Sequence, residues 1–271
     1  MALTTSLAGR VRNTSLPKSH ALLPLLEAVV NSIQAIDVRF GDDVDRGRLK
    51  VQILRDPQDE FDLGTAGPGR TPLKPIVGFT IADNGVGFTP ENMVSFETLD
   101  SEFKAGIGCR GVGRLLWLKA FDRVVVRSAY TDAAGELRGR QFRFSVEREV
   151  EQDEEPTDVG DFGSTVTLDG FKKPYQQSAS KTVDVIAREI LEHCVWYFLR
   201  PGGAPEIIVS DDDETVSLTR LMEDFAGSEM PRSRFEVKGQ AFDMINLRLK
   251  ASARRTTPRL HWCAGEPRRY G

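Results

Sequence analysis

The chain has 271 residues, 40% of them hydrophobic and 28% charged, which is typical of a soluble protein with one large domain, or one domain and part of another. With 36 Lys and Arg against 40 Asp and Glu the net charge is −4, so no overall basic excess indicates nucleic-acid binding. Three scattered cysteines argue against a disulfide framework or a structural zinc site and predict a reduced, cytoplasmic protein. We expect no membrane span and no signal peptide, because no segment has the required apolar length.

A polar arm over residues 1–20 leads into the first amphipathic helix. Glu27 and Asn31 lie four residues apart, which places them one turn apart on a face beside the apolar stripe, and Gln34 follows them. Such a carboxylate and carboxamide can hold a water and ligate Mg²⁺, although the solvated edge of an ordinary helix has the same pattern. The apolar stripe consists of Leu22, Leu26, Val29, Ile33 and Ile36.

Two predicted strands, residues 49–54 and 76–82, follow the helix and are separated by a Pro- and Gly-rich loop over residues 55–75. We expect the two strands to pair with each other. The second strand runs directly into Asp83-Asn84-Gly85-Val86-Gly87-Phe88. Taken alone, this Asp-x-Gly-x-Gly pattern indicates a turn more often than a binding site.

A second glycine motif precedes the next helix. Residues 89–107 have a mixed composition that predicts a mobile, irregular segment. Gly108-Cys109-Arg110-Gly111-Val112-Gly113 then opens an apolar helix over residues 114–121. A Gly-x-x-Gly-x-Gly run before a helix can belong to a Rossmann dinucleotide site. No strand runs into Gly108 and no β-α-β pattern surrounds it, so we favour another kind of site.

The remaining chain combines short strands with one long helix. Residues 147–161 are acidic and predict a solvated loop. The break at Pro201-Gly202-Gly203 divides a domain of residues 1–200 from a second unit, residues 201–271, which we interpret as the truncated start of another domain. Strands are predicted at 124–128, 141–146, 164–168, 206–209, 215–218, 235–237 and 241–249, and helices at 183–198 and 219–224.

In this order the motifs resemble those of the GHKL ATPase superfamily, which includes gyrase B, the heat-shock-ninety chaperones, histidine kinases and MutL. The chain as a whole is most similar to bacterial heat-shock-ninety-like ATP-binding proteins. Glu27, Asn31 and Ala35 meet the spacing E-x-x-x-N-x-x-x-A of the first box. The other matches are Asp83, Gly85 and Gly87 in the D-x-G-x-G box, Gly108, Gly111 and Gly113 in the glycine lid, Ser101 and Lys104 in a MutL-like lid segment, and Gly163-Ser164-Thr165-Val166 in the late G-T-x-V strand.

The resemblance implies a Bergerat-type α/β sandwich, an α+β fold whose mixed, mostly antiparallel sheet has helices on one face, followed by the start of a transducer-like α/β domain. It also implies an ATP hydrolase that uses Mg²⁺. Asp83 would accept a hydrogen bond from the adenine amine, Asn31 would ligate Mg²⁺, and Glu27 would activate the attacking water. The other residues expected to contact the nucleotide are Gln34, Ala35, Gly85, Gly87, Phe88, Lys104, Gly108, Arg110, Gly111, Val112, Gly113, Arg114, Ser164 and Thr165.

Gln34 departs from the family pattern, because many members carry Asp there. The resemblance implies slow hydrolysis that drives an ATP-dependent homodimerisation of a larger protein, with an unidentified protein client. One alternative is an ATP switch that does not hydrolyse its ligand. Another is a DNA-directed ATPase of the MutL or topoisomerase kind, whose nucleic-acid contacts lie in the missing C-terminal part. A histidine kinase is disfavoured, since no phospho-acceptor helix precedes Glu27. Lys250 is the candidate for the lysine that senses the γ-phosphate.

Overall fold

The computed structural model describes residues 6–56, 73–98, 113–153, 162–225 and 231–245. It confirms the predicted α+β fold, in which helices pack on a large, mixed and mostly antiparallel sheet to form an α/β sandwich.

Eight strands form the main sheet, and two further strands form a separate hairpin. In chain order they are β1 (Arg48–Arg55), β2 (Ile76–Asp83), β3 (Phe121–Thr131), β4 (Leu137–Ser145), β5 (Glu149–Gln152), β6 (Gly163–Phe171), β7 (Glu206–Ser210), β8 (Thr215–Ser217), β9 (Arg232–Val237) and β10 (Gln240–Ile245). The order across the main sheet is β5-β4-β3-β6-β2-β1-β7-β8, and β9 pairs with β10. Strands β1 and β7 run parallel, and every other neighbouring pair in the main sheet is antiparallel.

Seven α-helices lie within the described ranges. They are α1 (Leu7–Asn13), α2 (Leu23–Phe40), α3 (Pro90–Glu97), α4 (Gly113–Ala120), α5 (Lys173–Gln176), α6 (Val183–Leu199) and α7 (Leu218–Phe225), with short 3-10 turns at Lys18–His20 and Val44–Arg46.

Helix α2 occupies the centre of the core and presents its apolar stripe to the sheet. Val29, Ile33 and Ile36 are fully buried, and α2 packs against β1, β2, α4 and α6. Pro24 suits its first turn, where the backbone N–H needs no partner, and Gly41 ends it with φ +56°. Burying each of these large aliphatic side chains contributes about 1.5–3 kcal/mol, so the position of the helix is strongly fixed.

Two predictions about irregular segments are wrong. The whole of α3 (Pro90–Glu97) lies inside the segment predicted to be irregular, residues 89–107, and the Thr89 hydroxyl caps its first turn by accepting a hydrogen bond from Asn92 N at 3.3 Å. Strand β5 falls inside the predicted acidic loop, residues 147–161, because pairing with β4 gives that polar stretch a partner. The remaining residues of both segments lie partly outside the described ranges.

The main sheet continues past the predicted boundary at residue 200. Strand β7 pairs with β1, β8 pairs with β7, and α7 packs against α6 and β7. Residues 206–225 therefore complete the sandwich, although they lie within the predicted second unit, residues 201–271. The proposed transducer-like unit covers residues 201–271. Among its described strands, only β9 and β10 lie outside the main sheet, and they form a separate hairpin.

The segment Lys18–Phe40 is long and apolar enough to cross a membrane when only length and composition are considered. The expectation that no segment reaches that limit is therefore wrong. In the structure this segment contains α2, which is mostly buried in the core, and core helices of folded domains pass the same test.

Candidate functional site

The carboxylate of Asp83 is the centre of the site. Asp83 ends β2 on the face that meets α2, where Ser32 Oγ donates to Oδ2 at 2.8 Å and Gly85 N donates to Oδ1 at 2.9 Å. Burial raises the pKa of Asp83 to about 6, while the hydrogen bonds from Ser32, Gly85 and the backbone of Ser164 act in the opposite direction. A desolvated carboxylate held by fixed donors is well placed to accept a further hydrogen bond from a ligand.

Both glycines after Asp83 permit close contacts that a side chain would block. A Cβ on Gly85 would lie 2.7 Å from the carbonyl carbon of Ala35, and Val86 N donates to Ala35 O at 3.2 Å. Gly87 has φ +77°, and its Cβ would lie 2.4 Å from Ala129 O on β3. The turn is thus held between α2 and β3, which explains why the motif needs glycine at these two positions.

Ser128 on β3 is a residue that sequence reasoning missed. Its Oγ accepts from Phe88 N at 2.7 Å and lies 2.9 Å from Gly163 O and 3.1 Å from Ser164 Oγ. It therefore joins the end of the Asp83 turn to the start of β6. A single serine inside a strand carries no motif, so the sequence contains no signal for this role. Ser32 was missed as well, although it directly follows Asn31.

Asn84, inside the same turn, ties the site to the start of β1. Its Oδ1 accepts from Arg48 N at 2.7 Å, and its Nδ2 donates to Arg46 O at 3.0 Å. Arg39 Nη1 donates to the Asn84 carbonyl at 2.6 Å. This side chain is fully engaged in holding the turn, so we assign it a structural role.

Glu27 lies where α2 meets the beginning of α4. A Cβ on Gly113, the first residue of α4, would lie 2.8 Å from Glu27 Oε2. Burial raises the pKa of Glu27. Asn31 is half-buried one turn further along the same helix. The structure therefore brings the first box, the Asp-x-Gly-x-Gly turn and the last glycine of the lid motif around one helix face.

Three predicted site residues, Gln34, Arg114 and Thr165, contact parts of the structure other than the Asp83 carboxylate. Gln34 is buried and hydrogen-bonds Tyr197 on α6. Arg114 donates to Thr98 O at 2.5 Å and Ser95 O at 3.4 Å, at the end of α3.

Thr165 pairs with Ala82 and Arg127 on the face of the sheet opposite Asp83, whereas its neighbour Ser164 is on the Asp83 face. These positions give no support to nucleotide contacts by Gln34, Arg114 or Thr165. Phe88 contributes its N–H to Ser128, while its ring packs on Phe142 at 5.3 Å between centroids. The predicted contacts of Lys104, Gly108, Arg110, Gly111, Val112 and Lys250 lie outside the described residues.

Within the described part of the chain, no three His, Cys, Asp or Glu side chains come together as a metal site. This does not conflict with Mg²⁺ at Asn31. Magnesium keeps several waters and is held through one or two protein oxygens together with substrate phosphates, so a dedicated protein cluster is not required.

Comparison with known proteins adds no assignment. No protein-family model matches the chain, and no curated protein matches it in sequence. Function therefore has to be inferred from the chemistry of the site.

Proposed function

We propose that this chain binds Mg-ATP in the region formed by α2, the turn after Asp83 and the start of α4, and hydrolyses it slowly. The observation that carries the proposal is the half-buried, desolvated carboxylate of Asp83, held by Ser32, Gly85 and the backbone of Ser164. A carboxylate has about four acceptor positions, and the three donors Ser32, Gly85 and Ser164 leave one for the exocyclic amine of adenine. Guanine presents a carbonyl oxygen at the corresponding position, so the same carboxylate would disfavour GTP.

The phosphates would lie toward Glu27 and the start of α4. Helix N-termini present free N–H groups and a positive dipole end, and Gly113 places this end directly beside Glu27. Mg²⁺, when bound, neutralises phosphate charge and polarises the γ-phosphoryl group. The amide oxygen of Asn31 is the ligand that we assign to it from this chain.

Hydrolysis would use Glu27 as the general base. Its raised pKa keeps the carboxylate basic enough to take a proton from water, whose oxygen then attacks the γ-phosphorus. The bond from phosphorus to the β–γ bridging oxygen breaks, leaving ADP and inorganic phosphate. ATP binding would bring two copies of the chain together, and hydrolysis would release them.

The base contact is tested by Asp83→Asn. The amide places donors where the adenine amine needs an acceptor and removes the charge, so we expect ATP affinity to fall by about 1.5–3 kcal/mol, roughly 10- to 150-fold. Titration calorimetry on the folded variant measures this loss, and a preference of the wild type for ATP over GTP should disappear with it. Asp42→Asn removes an exposed carboxylate after α2 and serves as the matched control. Unchanged ATP affinity in folded Asp83→Asn would overturn the proposed site.

The raised pKa of Asp83 predicts a pH dependence of binding. Its carboxyl becomes neutral as the pH falls through about 6, and a neutral carboxyl is a weaker acceptor than a carboxylate. We expect affinity for ATP to be full above that pH and to fall roughly fivefold toward pH 5, from a difference of about 1 kcal/mol between charged and neutral hydrogen bonds. The phosphates of ATP titrate in the same range, so Asp83→Asn supplies the baseline. The ratio of the two affinities should shrink as the pH falls, and a constant ratio would contradict the prediction.

The metal contact is tested by Asn31→Ala. Loss of one oxygen ligand should weaken Mg-ATP, whereas ATP in the presence of a chelator should bind almost as it does to the wild type. Gln34→Ala removes a neighbouring carboxamide that bonds Tyr197 and is the matched control, for which we expect no metal-dependent difference. Equal losses with and without Mg²⁺ in Asn31→Ala would indicate a distorted helix and not a lost ligand.

A further inference from the structure

Arg39 extends the row of residues on α2 that carries the candidate site. Glu27, Asn31, Ala35 and Arg39 follow one another at intervals of four residues, so each lies one helical turn beyond the one before it. The row leads from the side chains assigned to water and Mg²⁺ to the turn after Asp83. Arg39 is its last member and was not among the site residues predicted from the sequence.

The guanidinium of Arg39 contacts two segments that flank the Asp83 carboxylate. Its Nη1 donates to the carbonyl oxygen of Asn84 at 2.6 Å. Its Cζ lies 4.5 Å from the ring centroid of Phe162, which immediately precedes β6, and 4.9 Å from the ring centroid of Phe40 at the end of α2. Arg39 is an exposed residue, but a hydrogen bond and two cation–π contacts together define where its guanidinium lies.

The hydrogen bond from Arg39 reaches the Asp83 carboxylate through one peptide group. The Asn84 carbonyl accepts from Arg39, and the Gly85 N–H of the same peptide group donates to Asp83 Oδ1 at 2.9 Å. A peptide group is planar, so a partner that fixes the direction of the carbonyl also fixes the direction of the N–H. Glycine restricts its own backbone least of all residues, so the orientation at Gly85 depends on such partners. A cation on the carbonyl also polarises the peptide group and strengthens the N–H as a donor.

The contact with Phe162 acts on a second donor to the same carboxylate. Phe162 lies two residues before Ser164, whose backbone donates to Asp83. A Cβ on Gly163, between these two residues, would lie 1.8 Å from Asp83 O, so the start of β6 lies directly against the backbone of Asp83. Two of the three donors to the carboxylate therefore follow segments that Arg39 contacts.

We propose that Arg39 is a positioning residue for the adenine acceptor. It holds the Asn84–Gly85 peptide and the start of β6 in the orientation in which Asp83 can accept a hydrogen bond from the base. The inference rests on the proposed function for the identity of the ligand. The restraint on the peptide is a property of the chain without any ligand, and it can be measured separately.

A cation at this place could instead stabilise only the fold. Arg39 lies in the last turn of α2, where a positive charge interacts favourably with the helix dipole. Arg46 provides a matched comparison, because its guanidinium lies 5.2 Å from the ring centroid of the same Phe40. Arg46 bonds the Asn84 side chain through its backbone carbonyl, which a substitution retains. Arg46→Met therefore removes a charge and a ring contact without removing a side-chain bond to the turn.

The first test measures hydrogen exchange of the Gly85 amide by NMR, on the full chain without nucleotide. Arg39→Met should raise the exchange rate about fivefold or more, whereas Arg46→Met should stay within about twofold of the wild type. Arg39→Lys keeps a charged donor but loses the planar group that contacts both rings, so its rate should lie between those of Arg39→Met and the wild type. An unchanged Gly85 exchange rate in Arg39→Met would overturn the proposal.

The second test measures affinity for ATP and GTP by calorimetry, together with turnover at saturating ATP. Arg39→Met should weaken ATP binding about five- to tenfold, less than Asp83→Asn, because the acceptor is loosened and not removed. The preference for ATP over GTP should fall with it. Turnover at saturating ATP should stay within about twofold, since Glu27 lies about three helical turns before Arg39. A variant that only loses melting temperature, with an unchanged ratio of ATP to GTP affinity, would show a structural role and overturn the proposal.

The failure of this inference is distinguishable from the failure of the proposed function. If the wild-type chain binds no ATP, the proposed function is wrong and the inference fails with it. If the wild type prefers ATP over GTP and Arg39→Met binds both nucleotides as the wild type does, only the role of Arg39 is wrong. Equal losses of ATP affinity in Arg39→Met and Arg46→Met would also overturn the inference, because they would trace the effect to the charge alone.

Discussion

Replacing Glu27 by alanine should lower ATP turnover by about 10²- to 10⁴-fold, which is the usual contribution of a positioned general base. ATP should still bind to this variant. The carboxylate sits beside Gly113 at the start of α4 and has a raised pKa, as expected of a base that must be strong enough to deprotonate water near neutral pH. Binding should persist because adenine and Mg²⁺ are assigned to Asp83 and Asn31. Steady-state phosphate release, with nucleotide binding measured separately, gives the two quantities.

Glu27→Gln is the matched variant, because it keeps the size and hydrogen bonding of the side chain and removes only the base. It should lose as much turnover as Glu27→Ala, and both should retain an ATP-dependent dimer longer than the wild type. Wild-type turnover in either variant would show that Glu27 is not the base. Failure of both to bind ATP would make Glu27 structural and would favour an ATP switch that does not hydrolyse its ligand.

Elements with strong periodicity were predictable from sequence. The apolar stripe of α2 and the apolar runs of β1 and β2 gave the right structure within one or two residues, since burial repeats every 3.6 or 2 residues. Helix α3 was missed because it is only eight residues long and mixes polar with apolar residues, although Thr89 before Pro90 is a helix-start signal that could have been used. Strand β5 exists through pairing with β4, which local sequence does not encode.

The candidate site was predictable where spacing fixed it. Gly85 and Gly87 are required because a Cβ at either position would clash with a neighbouring element. A requirement of this kind appears in the sequence as a glycine at a fixed spacing from Asp83. The direction of a side chain depends on its packing partner, so the contact of Gln34 with Tyr197 could not be read from the helix alone. The position of Thr165, in contrast, could have been predicted. Side chains alternate between the two faces of a strand, so Ser164 lies on the same face as the buried Val166 and Thr165 lies on the opposite face.

Replacing Gly163 by alanine should give the largest loss of stability among the glycine variants. Gly163 has φ +124°, which side chains rarely adopt, and an added Cβ would lie 1.8 Å from Asp83 O. The strained backbone costs about 1–3 kcal/mol and the overlap about 1–3 kcal/mol more, so we expect a loss of roughly 2–6 kcal/mol in unfolding free energy. Chemical denaturation measures it.

Gly135→Ala separates the two causes of this loss. Gly135 also has a positive φ, +83°, but a Cβ there meets nothing within 4 Å, so only the conformational cost of about 1–2 kcal/mol applies. The excess loss in Gly163→Ala then measures the contact between β6 and the end of β2. Because that contact holds the backbone of Asp83, the Gly163 variant should also lose ATP affinity under conditions where it remains folded, while Gly135→Ala retains it. Equal destabilisation by the two substitutions would show that the backbone of Asp83 yields readily, and that β6 does not fix the proposed adenine acceptor.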